Sequence, residues 1–121
     1  MFRIVRLFAL LALVIAVFSV AQVSAADNKL DGFAKCLAQK QAKMYGLFWC
    51  QHCADQKELF GSSFQYVTYV ECGVPGTHKA TDECKAAGIK HTPTWIFSDG
   101  SRREGLVPLA DLARQTGCKL P

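Results

Sequence analysis

The sequence predicts an α/β domain: a four-stranded mixed sheet with helices on both faces. Three observations predict it. Segments with apolar residues at helical spacing alternate with short runs rich in aromatic and β-branched residues. The resulting order is helix, strand, helix, strand, helix, hairpin, helix. A strand–helix–strand unit closes by a right-handed parallel crossover, whereas the terminal hairpin adds an antiparallel pair, so the sheet is mixed.

Each element has its own signal. Asn28 to Gln41 reads as a helix because Leu30, Phe33, Ala34, Leu37 and Ala38 fall on one face, with Asp27 or Asn28 as N-cap. Ala42 to Trp49 combines Met, Tyr, Leu and Phe with little charge, as a central strand does. Cys50 to Phe60 is a helix stopped by Gly61, anchored by Leu59 and Phe60, with Asp55, Gln56, Lys57 and Glu58 solvated. Tyr66 to Glu71 is the second strand, and Gly73 to Thr77, with Pro75 and Gly76, is a turn. Thr81 to Ala87 is a short helix closed by Gly88, and Lys90 to Pro93 is a loop. Thr94 to Ser98 and Arg102 to Leu106 flank the hairpin signal Asp99-Gly100. Pro108 to Thr116 is the last helix, with Gly117 at its end.

Length and composition narrow the class. A chain of 121 residues is too short for two ordinary domains. Its start is set apart: Arg3 and Arg6, an apolar run from Leu7 to Val20, then the small residues around Val23-Ser24-Ala25. This is the pattern of a secretory signal peptide over residues 1–25, leaving 26–121 as the folded domain. The competing reading is a retained membrane anchor, although the apolar run is shorter than the ~20 residues a spanning helix needs. Loss of Arg3 and Arg6 takes the formal charge from +4 to +2. No basic run remains, which argues against a nucleic-acid partner. The domain is expected to be a monomer. All six cysteines fall after residue 25, which points to an oxidising, extracytoplasmic compartment and to disulfides that support a limited core.

The chemistry concentrates in Phe48-Trp49-Cys50-Gln51-His52-Cys53. Cysteines three apart on the first turn of a helix face the same way, so their sulfurs can close a small ring. Cys50 at the helix N-terminus meets unpaired backbone N–H groups and the positive end of the helix dipole, both of which favour a thiolate. His52 is expected to tune that thiolate further. Cys53 is the resolving thiol, which attacks a mixed disulfide formed at Cys50. A C-x-x-C pair taken alone also fits a structural disulfide or half of a metal site.

The surrounding motifs carry a resemblance. Phe48-Trp49-Cys50-x-x-Cys53 follows a core strand, Gly88-Ile89-x-x-Thr92-Pro93-Thr94 precedes the hairpin, and Phe97-x-Asp99-Gly100 and a closing helix follow. In this order they resemble the thioredoxin fold over about Lys40 to Gly117. Lys43-Met44-Tyr45-Gly46, Gln56 to Gly61 and Pro93-Thr94-Trp95 are similar to the thioredoxin-like domain associated with vitamin K epoxide reductase homologues. The resemblance implies a thiol–disulfide oxidoreductase that exchanges disulfides with protein thiols, recharged by a separate membrane quinone-linked enzyme. The cysteine pair would be its own two-electron carrier, so no organic cofactor is expected, and no metal. The resemblance also implies a cis Thr92–Pro93 bond facing the cysteines. Trp49, Gln51, Thr92 and Pro93 are expected to face the substrate, Trp49 as part of a docking surface over the disulfide. Two departures stand out. Gln51 occupies a position where such motifs usually have Gly or Pro, and the run Ala42 to Phe48 lacks the buried acid that many such enzymes use for proton transfer.

The other cysteines have bland and sharp readings. Cys72 and Cys84 flank the Pro75 loop and are expected to form a structural disulfide; the alternative is a second redox pair that relays electrons. Cys36 and Cys118, in or beside the first and last helices, are expected to form another staple. His91 lies next to Thr92-Pro93, and His78 reads as a surface residue. Trp95 and Phe97 are assigned to the core, as are Tyr45, Phe60, Phe64, Tyr66 and Val70. Two other functions compete with redox catalysis. One is copper or zinc delivery through Cys50, Cys53, His52 and His91, for which a third and fourth ligand are not evident. The other is a partner-binding domain with structural disulfides only.

Overall fold

The computed structural model describes residues 28–121; the residues assigned to a signal peptide lie outside that range. The elements are α1 (Asp31–Gln39), β1 (Lys43–Gly46), α2 (Gln51–Phe60), a 3-10 turn (Gly61–Tyr66), β2 (Thr68–Glu71), α3 (Asp82–Ala86), β3 (Thr94–Ile96), β4 (Arg102–Glu104) and α4 (Leu109–Thr116). The sheet order is β2-β1-β3-β4. β1 runs parallel to β2 and antiparallel to β3, and β4 pairs antiparallel with β3. The fold is thioredoxin-like. Among the described residues no helix is long and apolar enough to cross a membrane.

Alternation along β1 divides the core in two. Met44 joins Phe33 and Leu37 of α1, Cys53 and Phe60 of α2, Trp95 of β3 and Leu112 of α4. Tyr45, one residue later and therefore on the opposite face, joins Cys72, Cys84, Val70, Ala87 and Ile96. Helices α1, α2 and α4 thus cover one face and α3 the other. On the larger side Phe33 stacks on Phe60 with ring centroids 6.1 Å apart, and Phe60 lies 6.2 Å from Trp95. The Trp95 indole N–H has no hydrogen-bond partner among the described residues. Such an orphan costs about 1–3 kcal/mol, which apolar contact of the ring must offset.

Several boundaries differ from the expectation. The first helix starts at Asp31 with Leu30 as N-cap. Asn28 instead accepts the Leu30 N–H on Oδ1 at 3.3 Å and donates to Ser62 Oγ at 2.8 Å, tying the helix entrance to the 3-10 turn. β1 stops at Gly46 because its ladder partners end there: four residues of β2 and three of β3. The 3-10 turn had no periodic signal in Gly61-Ser62-Ser63. On α2, Gln56 is fully buried rather than solvated. It shares the inward stripe of Cys53 and Phe60, where its amide donates to Val107 O at 3.0 Å and accepts from Val107 N at 2.7 Å. Leu59 falls off that stripe and is exposed, so Phe60 alone is the apolar anchor. Phe64, Tyr66 and Val70 are only partly buried, packed against the edges of the two cores.

Candidate functional site

The site forms where β1 ends and α2 begins. Cys50 N donates to Leu47 O at 3.1 Å, closing the turn that carries Phe48 and Trp49. Cys50 is then the N-cap of α2, in extended conformation (φ −93°, ψ 115°). Its sulfur takes the role that a Ser or Asp oxygen plays in other helix caps, accepting the Cys53 N–H at 3.2 Å. The Cα atoms of Cys50 and Cys53 are 5.2 Å apart and their sulfurs are joined. Their environments differ: Cys50 is half-buried and Cys53 is 1% exposed.

The loop before β3 faces this pair. Cys50 Sγ lies 3.5 Å from Thr92 O, and the Thr92–Pro93 peptide is cis. The loop is held on both sides: Thr94 Oγ1 donates to His91 O at 2.6 Å, and Gly105 N donates to Pro93 O at 2.8 Å. Pro93 and Thr94 are buried.

The remaining candidates surround the pair at different distances from it. Trp49 is exposed, edge-on to Phe48 at 4.6 Å and 5.0 Å from His78. These three rings form an exposed aromatic surface beside Cys50, so His78 stands next to the site. Gln51 Nε2 donates to Asp55 Oδ1 at 2.9 Å. His52 points outward, its side chain 74% exposed and its Nδ1 3.7 Å from Asp55 Oδ2. Positions i and i+2 of a helix do not face each other. Among the described residues Cys50 Sγ accepts a hydrogen bond from Cys53 N and lies against Thr92 O. His91 Nε2 lies 4.0 Å from Glu104 Oε2 on the surface.

Sequence reasoning overlooked the floor of the site. Gly46 gives it room: a Cβ there would stand 2.9 Å from the Tyr69 ring, 3.0 Å from its Oη and 3.2 Å from Cys53 Sγ. Tyr69 Oη donates to Glu71 Oε2 at 2.7 Å, while Glu71 Oε1 accepts from Gly73 N at 2.8 Å and Phe48 N at 3.1 Å. Burial, and then Glu71, push the Tyr69 hydroxyl well above its ordinary pKa. The available signal was the polar pair two residues apart in a strand, which places both side chains on one face.

The other cysteines pair away from the site. Cys36 joins Cys118 with Cα atoms 5.8 Å apart, and Cys72 joins Cys84 at 5.5 Å. Among the described residues no three His, Cys, Asp or Glu side chains gather as a metal cluster.

Chemically, the arrangement offers a half-buried cysteine at a helix N-terminus, an enclosed cysteine bonded to it, and a backbone carbonyl alongside. No family model matches the chain. Over 91 residues, covering 72% of this chain, it is 46% identical to the thiol-disulfide oxidoreductase LTO1 of Arabidopsis thaliana. The chain spans about a quarter of that relative's length, the match covering 24% of it.

Proposed function

We propose that this chain is an exported, monomeric protein thiol–disulfide oxidoreductase. The observation that carries this reading is the asymmetry within one cystine: Cys50 sits partly open at the cap of α2, while Cys53 is enclosed. An incoming thiolate attacks the reachable sulfur, Cys50, and expels Cys53 as thiolate. In reverse, Cys53 attacks Cys50 and releases the partner's sulfur. The helix N-terminus stabilises charge on Cys50. That stabilises the reduced form, raises the potential and favours the chain as an oxidant of protein thiols. Phe48, Trp49 and His78 provide the docking surface, and the backbone beside Pro93 is available to the bound segment. The pair carries its own two electrons, so no organic cofactor enters. Export through residues 1–25 and recharging by a membrane quinone-linked enzyme of the vitamin K epoxide reductase type complete the proposal. The similarity to LTO1 supports the reaction class. No observation favours a copper-delivery role.

Replacing Cys53 with Ala tests the reading. The variant is expected to accumulate mixed disulfides at Cys50 with exported proteins, identifiable after non-reducing isolation. In the unmodified chain, redox titration should give a two-electron couple between roughly −120 and −230 mV. A Cys50 that stays inert to alkylation at neutral pH after mild reduction, with no adducts recovered, would overturn it.

A further inference from the structure

Resolution requires Cys53 to lose a proton before it attacks, and at 1% exposure it has no direct path to bulk water. β1, which leads into the site, provides Lys43, Met44, Tyr45 and Gly46 and no carboxylate. The neighbouring parallel strand does. Tyr69 and Glu71 of β2 share one face and are joined at 2.7 Å. Tyr69 Oη and Cys53 Sγ crowd the same point above Gly46, at 3.0 and 3.2 Å from it, so they are separated by no more than the sum, about 6.2 Å. One bridging water covers about that span. Two backbone N–H groups hold Glu71 Oε1, leaving Oε2 for Tyr69. Lys57 of α2 is the other charged group against this ring, its Nζ 4.0 Å from the centroid.

We propose that Tyr69 and Glu71 form the route by which Cys53 gives up and regains its proton; this rests on the thiol–disulfide reading above. In the resolving direction the Cys53 proton passes towards Tyr69 Oη as the Tyr69 proton passes to Glu71 Oε2. The Cys53 thiolate then forms the Cys50–Cys53 bond with its electron pair. The bond from Cys50 to the partner breaks, and the partner's sulfur leaves with that electron pair and takes up one proton. Glu71, half-buried at the edge of the site, returns its proton to water. The raised pKa of Tyr69 fits a relay that stays protonated between turnovers.

The test uses the full chain with only the Cys50–Cys53 pair reduced, mixed with an excess of an aromatic disulfide whose released thiol is coloured. The first release reports attack by Cys50, and the second reports resolution by Cys53. Tyr69→Phe and Glu71→Gln are each expected to slow the second phase about tenfold or more at pH 7 and to leave the first unchanged. The deficit should vanish at alkaline pH, where the Cys53 thiol ionises unaided. If Tyr69→Phe does not fold, Glu71→Gln decides alone. A second phase at the wild-type rate at pH 7, or one slowed equally at every pH, overturns the relay. Absence of the first phase in the unmodified chain overturns the redox reading and the relay with it.

Discussion

The starts of α2 and α3 are built alike, and their cysteines bond differently. At α2 the cap is Cys50, whose sulfur accepts the N–H of Cys53 at 3.2 Å; at α3 the cap is Thr81, whose Oγ1 accepts the N–H of Cys84 at 3.3 Å. In both, the cysteine three positions past the cap is 1% exposed. The difference is the partner. Cys53 bonds to its own cap, the half-open Cys50, whereas Cys84 bonds to Cys72 beyond the end of β2, which is buried as well. On the proposed function, a shared helix start would not by itself make a cystine exchangeable; one of the two cysteines must also be open to an incoming thiolate at the helix end.

Substitution should separate the two sites, and the largest effect is expected at Cys50. Cys50→Ser keeps an oxygen cap on α2, so folding should match the reduced wild type, while thiol exchange falls by about a thousandfold or more. Removing the second cystine as Cys72→Ala with Cys84→Ala should do the reverse. Exchange should persist, and urea denaturation should show a loss of about 3 kcal/mol, from the 12-residue separation that the bond closes. The smallest effect is expected from Thr81→Ala, which removes only the cap oxygen of α3 and should cost about 1 kcal/mol with exchange unchanged. If Cys72→Ala with Cys84→Ala instead abolished exchange, the second cystine would be a relay and the comparison would collapse.

Much of this layout could be read from the chain, because it follows from local periodicity and turn chemistry. The strand–helix alternation, the Asp99-Gly100 hairpin and the stop at Gly61 are properties of short windows. The Cys36–Cys118 bond is expected from the adjacency of the first and last helices, and Cys72–Cys84 from the loop the two residues flank. What could not be read depends on partners distant in sequence. Gln56 looks like a surface residue until the Val107 backbone, 51 positions away, takes both ends of its amide. The length of β1 is set by how far β2 and β3 run beside it. His52 is adjacent to the cysteines in sequence, yet helical geometry turns it outward towards Asp55. β1 holds no acid, and the carboxylate that meets Tyr69 belongs to β2, which the parallel register sets beside β1.

The Cys36–Cys118 bond has a mechanical consequence. It spans 82 positions, and all four strands and the Cys50–Cys53 pair lie between its ends. A pull on the outer segments of the chain therefore runs through the sulfur–sulfur link and bypasses the sheet. Tension on those segments during threading or handling loads a covalent strut, while the geometry around Cys50 stays unstressed. Opening that one link would route the same load through the β-ladder.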